Sequence, residues 1–137
     1  MDTLTPRERS ARMALVRGKD TKPELLVRRL VHGLGYRYRL HRRDLPGTPD
    51  LVFPGRGKVI MVHGCFWHRH EGCALARLPK SRGDFWLPKL TTNAERDASN
   101  TRALRRLGWG VMTIWECQLR DTAALASRIR RFLDAQR

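Results

Sequence analysis

The sequence predicts a single α/β domain in which a small mixed β-sheet is flanked by helices. Its 137 residues suffice for one hydrophobic core but not for two, and 41% of them are hydrophobic, a value typical of globular proteins. Segments with apolar residues at helical spacing alternate with short apolar runs bounded by Gly and Pro. We therefore expect one domain over residues 1–137, with an N-terminal helix within residues 1–18 and a core in residues 19–137.

Two helices are expected near the N-terminus. The first covers Pro6 to Val16, where Thr5 can cap the first turn and Pro6 suits its start. Before the second, Thr21 and Glu24 have the spacing of a capping box. The apolar repeat that follows predicts an amphipathic helix: Leu25, Leu26, Leu30 and Leu34.

Four apolar runs predict the strands of the sheet. Tyr36–Leu40 is the first, and a loop rich in Pro and Gly follows it. Leu51–Phe53 and Val59–Val62 flank the turn at residues 54–57, so we expect them to be adjacent antiparallel strands. Val111–Trp115 predicts a strand of the buried type.

Two further helices are expected, over Pro88–Leu107 and Asp121–Ala135. Five residues of the former share one face by their 4-3-4-3 spacing: Leu90, Ala94, Asp97, Thr101 and Leu104. A carboxylate on an apolar stripe costs free energy unless it is paired or bound to a metal. Asp97 therefore either has a functional role, such as orienting a histidine, or lies at the edge of a slightly rotated helix and pairs with Arg96 or Arg102.

The charge balance is strongly basic, with 28 Lys and Arg against 13 Asp and Glu and a formal net charge of +15. Such an excess favours a polyanionic partner, most often nucleic acid. A basic surface that only aids solubility, or association with the ribosome, is the alternative. No run approaches the ~18 consecutive apolar residues of a membrane span, and no secretory pattern begins the sequence. We therefore expect a cytoplasmic protein.

The densest cluster of chemically active residues lies between His63 and Cys73. Cys65, His70 and Cys73, together with Cys117, form a Cys3His set that suffices for a closed, structural Zn2+ site. The odd number of cysteines argues against a disulfide framework. The alternative is three buried cysteines that never meet.

Asp50 and the histidines around it suggest a second metal site. Pro49-Asp50, an apolar strand, a turn and a second strand ending at Val62-His63 resemble the metal-binding core of restriction-endonuclease-like nucleases. In that core an acidic residue and a second ligand on adjacent strands hold Mg2+, and a backbone carbonyl can serve as the second ligand. His68 is the histidine that the zinc does not need. Pro49-Asp50 by itself is also compatible with a simple turn, and Glu24 either only caps its helix or faces the water shell of the cation.

Three aromatic residues, Phe66, Trp67 and Trp86, flank basic residues in polar loops. Apolar side chains that enter between DNA base steps are one known use of such residues. Packing around the zinc loop is the alternative. Trp109 and Trp115 have the pattern of ordinary core residues.

Taken together, five segments resemble the very-short-patch repair (Vsr) endonucleases, and the similarity extends from the first helix to about Leu133. They are residues 45–50 (LPGTPD), 62–68 (VHGCFWH), 93–97 (NAERD), 107–109 (LGW) and 111–117 (VMTIWEC). The resemblance implies a restriction-endonuclease-like fold with a structural Zn2+ and a catalytic Mg2+.

The resemblance also implies a role for each candidate residue. Asp50 matches the Mg2+-binding aspartate, and the second ligand is a main-chain carbonyl, here that of Val62, where the family commonly has Thr. His68 matches the histidine that activates water, with His63, Asp97 and Glu24 in support. The family's DNA-wedging aromatics correspond to Phe66, Trp67 and Trp86.

The resemblance implies an enzyme that nicks one strand of duplex DNA 5′ of the T in a T:G mismatch left by deamination of 5-methylcytosine. We expect a monomer that acts on nucleoid DNA, with mismatch-repair proteins as possible partners. A restriction-type nuclease on matched DNA and a non-catalytic zinc module that binds DNA are the alternatives. The zinc loop departs from the family's His-rich pattern at Arg69, Glu71 and Gly72, which leaves the register of His70 and Cys73 open.

Overall fold

The computed structural model describes residues 21–76 and 83–136, with the backbone only at residues 83 and 84. The expected helix over Pro6–Val16 lies outside the described residues. Within them, three α-helices and four strands follow in this order: α1 Lys22–Gly33, β1 Arg39–Leu40, β2 Leu51–Phe53, β3 Lys58–His63, α2 Gly83–Arg106, β4 Gly110–Trp115 and α3 Thr122–Asp134. None of the described helices is long and apolar enough to cross a membrane.

The four strands form one mixed sheet in the order β1-β2-β3-β4, so the predicted α/β class is confirmed. β1 and β2, and β2 and β3, pair antiparallel, whereas β3 and β4 pair parallel. The β2–β3 hairpin matches its prediction closely because the turn at residues 54–57 ends in Gly57, whose φ of 67° is left-handed. The parallel pair needs a long crossover, and residues 64–109, which include α2, supply it.

Alternation of side chains along the strands separates the sheet into two faces. On the first, which we call the α1/α3 face, strand residues such as Ile60 and Ile114 pack against Val27 and Val31 of α1 and Ile129 of α3. On the second, the α2 face, a smaller cluster contains Leu45, Val52, Val59, Met61 and Leu104. The same alternation directs His63 and Trp115, and Asp50 just before β2, toward the α2 face.

The C-terminal end of α3 is held by two cations of the β2–β3 hairpin. Lys58, only 5% exposed, donates to the backbone oxygens of Phe132, Leu133 and Ala135. Arg56 donates to Leu133 O at 2.8 Å. The last carbonyls of a helix have no partner within it, and cations at that end also interact favourably with the helix dipole. These bonds fasten α3 to the sheet.

The capping box predicted for α1 does not form. Thr21 is the N-cap, but its side chain makes no capping hydrogen bond. Glu24 is buried and lies 3.2 Å from Arg28 instead. Leu25 and Leu26 are each 40% exposed, and Val27 and Val31 occupy the core positions of the helix, because the sheet rather than the leucine spacing selects the buried stripe.

Three other elements differ from their predicted bounds. β1 covers only Arg39–Leu40 of the predicted run, because Tyr36 and Tyr38 pack their rings against the core. α2 begins at Gly83, upstream of Pro88, so the proline lies inside the helix rather than at its start. β4 alternates between buried and half-buried residues rather than being buried throughout, because it lies at the sheet edge in the described part of the chain.

Candidate active site

An open cleft of about 1060 Å³ lies between the α2 face of the sheet and helix α2. All five side chains predicted to be catalytic line this cleft: Glu24, Asp50, His63, His68 and Asp97. They come from α1, from the start of β2, from the end of β3 and the loop after it, and from α2. The fold therefore gathers into one cavity residues that are widely separated in the chain.

A glycine in the loop before β2 lets that loop pack closely against α2. Gly47 has a φ of +74°, and a Cβ atom there would lie 2.9 Å from Asn100 Nδ2 on α2. Only glycine satisfies both the conformation and the close approach. The loop at residues 45–49 therefore sits directly against the helix that carries Asp97.

At one end of the cleft, Asp50, Glu24 and His41 offer ligand atoms within 4.8 Å of one another. Asp50 Oδ2 accepts a 2.6 Å hydrogen bond from the backbone N–H of Val62. His41 Nε2 lies 3.4 Å from Glu24 Oε2 and 3.8 Å from Asp50 Oδ1. Val62 also lines the cleft, and coordination of a cation by its carbonyl stays a prediction.

The electrostatics of this end fit a cation. Burial, together with the neighbouring carboxylate of Glu24, raises the pKa of Asp50 to about 7, although the Val62 N–H opposes the shift. Two buried carboxylates that repel each other are stabilised by a positive charge between them. Hard oxygen donors are also the ligands that Mg2+ prefers. The residues present therefore fit the divalent cation that the sequence implies.

Next to this acidic end, His68 and Asp97 form a charge-assisted pair. His68 Nδ1 donates to Asp97 Oδ2 at 2.5 Å, so the His-orienting interpretation of Asp97 agrees with the geometry, and pairing with Arg96 or Arg102 does not. The bond fixes the ring and leaves Nε2 as the atom available for proton transfer. His63 stacks on His68 with ring centroids 3.9 Å apart and planes within 5° of parallel.

The pKa of His63 shows what this stack does. Burial and the neighbouring His68 lower the pKa of His63 to about 4, and Asp97 opposes the shift only in part. His63 is therefore neutral near pH 7, and His68 can accept a proton without facing a second imidazolium.

The predicted zinc ligands also come together. The ligand atoms of Cys65, His70, Cys73 and Cys117 lie within 4.8 Å of one another, and the three cysteines are free. Cys117 Sγ lies 3.5 Å from His70 Nδ1, and Cys117 N–H donates to Cys65 Sγ at 3.4 Å. His70, whose register the sequence left open, thus belongs to the cluster geometrically.

The chemistry of this set fits a soft divalent cation. Burial and the adjacent thiols raise the pKa of Cys65 to about 12. Thiolates crowded at this distance become favourable when a cation neutralises them. Three sulfur donors and one imidazole leave no ligand position open around a tetrahedral ion. Zinc itself stays a prediction.

The three aromatics predicted to contact DNA form one cluster at the mouth of the cleft. Trp67 and Trp86 meet edge to face with centroids 5.9 Å apart, and Phe66 packs on both. All three are half-buried, and Phe66 and Trp67 line the cleft. Asn93 of α2 donates to Trp67 O at 3.1 Å and holds the loop in place. The three rings therefore pack on one another, and Phe66 and Trp67 are also exposed toward the cleft.

Two site residues were not identified from the sequence. His41 follows a weak strand in a basic loop, and nothing in that pattern distinguishes it from a surface histidine. Trp115 was expected to be an ordinary core residue, but it stacks on His70 with centroids 4.1 Å apart and meets His63 edge to face. Its place at the end of an edge strand, level with His63, is the signal that could have revealed it.

Comparison with known proteins finds related sequences. A family model described as DNA mismatch endonuclease Vsr matches residues 1–75. The chain is 42% identical to the DNA mismatch endonuclease Vsr of Escherichia coli K12, over 85% of this chain and 74% of that protein.

Two relatives of similar length are named as nicking enzymes. The Type II nicking enzyme V.XorIIP of Xanthomonas oryzae is 53% identical over 97% of each chain. V.NmeAIP of Neisseria meningitidis, also a Type II nicking enzyme, is 40% identical over 96% of this chain and 94% of its own.

Proposed function

The chain belongs to the Vsr family of DNA mismatch endonucleases, and from that premise we propose that it nicks one strand of duplex DNA 5′ of the T in a T:G mismatch. Such mismatches arise when 5-methylcytosine deaminates opposite guanine. The nick would initiate very-short-patch repair of the mispaired thymine. The names of the relatives support cleavage of a single strand.

One observation carries the proposal: a carboxylate fit for a hard cation, a histidine held by aspartate and a cluster of aromatics share one cleft. Hydrolysis of a phosphodiester needs charge stabilisation and a proton acceptor, and the first two groups provide them. A non-catalytic zinc module would have no use for the pair of His68 and Asp97.

His68 takes the proton from the attacking water through Nε2. Asp97 holds the opposite ring nitrogen and stabilises the imidazolium that forms. A new bond joins the water oxygen to phosphorus as the bond to the 3′ oxygen breaks, so the products are a 5′-phosphate and a 3′-hydroxyl. Asp50 and the Val62 carbonyl would hold Mg2+, which supplies stabilisation of the negative charge on the phosphate. Glu24 lies where it can hydrogen-bond water beside Asp50.

The Cys3His cluster has a structural role in this proposal. With Zn2+ bound, it would tie the loop after β3 to the end of β4 and so set the place of His68, which lies between two of its ligands. A restriction-endonuclease-like arrangement of the sheet is part of the same proposal.

Affinity for DNA would come from the positive charge of the protein. Selection of the mismatch would come from the lower cost of deforming a mispaired base step. The net charge of +15 favours many phosphate contacts. A mispaired step is easier to open than a matched one, so Phe66, Trp67 and Trp86 would enter the stack beside the mismatched T. The segment at residues 1–18 would contact the other groove. The enzyme would act on the bacterial nucleoid in the cytoplasm as a monomer, with mismatch-repair proteins as partners.

A nicking assay with three duplexes tests the proposal: T:G, matched C:G and matched T:A in the same surrounding sequence, each labelled on either strand. We expect Mg2+-dependent cleavage 5′ of the T, with the G strand intact and the matched duplexes resistant, and EDTA should abolish it. Equal cleavage of matched DNA would instead indicate a restriction-type nuclease. Binding without any cleavage would indicate a DNA-binding module.

The aromatic cluster gives a second arm of the assay. Trp67→Ala should lower the ratio of the cleavage rate on T:G duplex to the rate on matched duplex. Opening a base step costs a few kcal/mol, and without the indole ring this cost is no longer offset. Phe85→Ala is a matched control, since Phe85 contacts Trp86 but stands 47% exposed and does not line the cleft. Equal losses on both duplexes would show that the cluster only packs the loop.

A further inference from the structure

His41 lies beside Asp50 and Glu24 although no sequence motif marks it. Its side chain is only 12% exposed and lies against the two carboxylates of the acidic end. Its Nε2 is buried and has no hydrogen-bond partner among residues 21–76 and 83–136. A buried ring nitrogen with no hydrogen bond is costly, so this atom indicates a ligand that the protein atoms do not supply.

The separations are close to those of atoms that share one ion, one within the expected range and one slightly above it. Ligands of a small divalent cation sit ~2.1 Å from it, which places neighbouring ligand atoms about 3–3.5 Å apart. His41 Nε2 is 3.4 Å from Glu24 Oε2 and 3.8 Å from Asp50 Oδ1. Asp50 uses its other oxygen, Oδ2, to accept from Val62, so Oδ1 is the one that faces His41.

The backbone at His41 is consistent with a fixed placement. Its φ is 47°, in the left-handed region that non-glycine residues rarely adopt. Such conformations persist where the surrounding structure holds them, and they concentrate at functional sites. This backbone conformation directs the His41 ring inward, whereas the neighbouring Arg43 and Asp44 in the same loop are exposed.

We propose that His41 is a side-chain ligand of the catalytic divalent cation, together with Asp50. This inference rests on the proposed use of such a cation. Mg2+ binds oxygen donors almost exclusively. Imidazole suits Fe, Ni, Cu and Zn best, and Mn2+, which also prefers oxygen, is the transition ion that accepts one nitrogen in an otherwise oxygen-rich site more readily than Mg2+ does. The site of this chain would therefore bind Mn2+ more tightly than an all-oxygen site does, and Mn2+ would support nicking at lower concentration than Mg2+.

The experiment uses the full chain, loaded with zinc, and Mn2+ as the probe in the absence of DNA. Free Mn2+ is titrated by electron paramagnetic resonance, and spin-echo modulation reports whether nitrogen is bonded to the ion. The variants are His41→Gln and His41→Asn, the latter because Asn tolerates a positive φ best. His32→Gln, at an exposed position near the end of α1, is the matched control.

Wild type and His32→Gln should show coordinated nitrogen, and both His41 variants should lose it. Affinity for Mn2+ should fall about tenfold in the variants, with a smaller loss for Mg2+. No nitrogen signal in wild type would overturn the proposal. So would a signal that survives in both His41 variants and disappears in His68→Gln, since the ion would then lie at His63, His68 and Asp97. Nicking of the T:G duplex by wild type is scored separately, so a failure of this inference is distinct from a failure of the proposed function.

Discussion

The two faces of the sheet differ in what they bury. The α1/α3 face is apolar apart from Lys58, which bonds the end of α3, and Ile60 and Ile129 are fully buried there. The α2 face has a small apolar cluster near Leu104, and beyond it lies the cleft with its carboxylates and histidines. The three non-glycine residues with positive φ in the described chain, His41, Thr48 and Arg69, all lie in loops beside the cleft. Apolar burial is concentrated on one face, and backbone strain and the buried carboxylates and histidines on the other.

The sharpest test of this division is Asp50→Asn. Nicking should fall by roughly a thousandfold or more, because the site loses the charge that holds the cation. The free energy of unfolding should not fall, since a buried carboxylate that repels Glu24 is removed. Asp44→Asn is the matched control, in the same loop but with a side chain 63% exposed and paired with Arg42. Near wild-type rates in Asp50→Asn would mean that the cleft is not the active site.

The variant Cys117→Ser tests whether the Cys3His cluster contributes to the stability of the fold. The variant should lose its metal and about 3 kcal/mol or more of stability, because metal binding and folding are linked. Metal content is measured by mass spectrometry and stability by denaturant unfolding, and a strong chelator on wild type should reproduce the loss. A folded, active preparation of wild type without zinc would contradict the assignment.

A matched pair of core truncations compares the faces directly. Ile129→Ala and Leu104→Ala should each cost about 2–5 kcal/mol in the free energy of unfolding. Well below the melting temperature, Ile129→Ala should nick at the wild-type rate per folded molecule. Leu104→Ala should be slower, because Leu104 seats the helix that carries Asp97. If both variants lost the same activity, the two faces would not be separable.

The smallest expected effect is on the pH dependence of stability without divalent cations. The pKa of Asp50 is raised to about 7 in the folded chain, so its contribution favours folding at low pH and is lost as pH rises through 7. The melting temperature of Asp50→Asn should therefore exceed that of wild type by an amount that grows from about pH 4 to pH 7 and is constant above it. Added Mg2+ should raise the melting temperature of wild type alone and so remove the difference between the two proteins at pH 8. A gap independent of pH would show that Asp50 ionises normally.

Local signals in the sequence predicted the β2–β3 hairpin, α3 and three of the four Cys3His residues. A Gly/Pro turn, the Asp121 cap that accepts from Ala124 N–H, and the close spacing of Cys65, His70 and Cys73 act over short distances, so sequence reveals them. The capping box failed because Glu24 has tertiary partners that outweigh a local one. His41 and Trp115 were missed for the same reason. Each acquires its role only from residues far along the chain, and no spacing rule records such contacts.

The parallel pairing of β3 with β4 also sets an order in biosynthesis. Asp50, His68 and Asp97 all leave the ribosome before β4, yet β3 stays open along one edge, and His63 and Cys65 lack Trp115 and Cys117, until residues 110–117 have emerged. Contacts across so long a crossover form late. A chain that lacks residues 110–117 therefore carries the candidate catalytic side chains without the strand and the cysteine that align them.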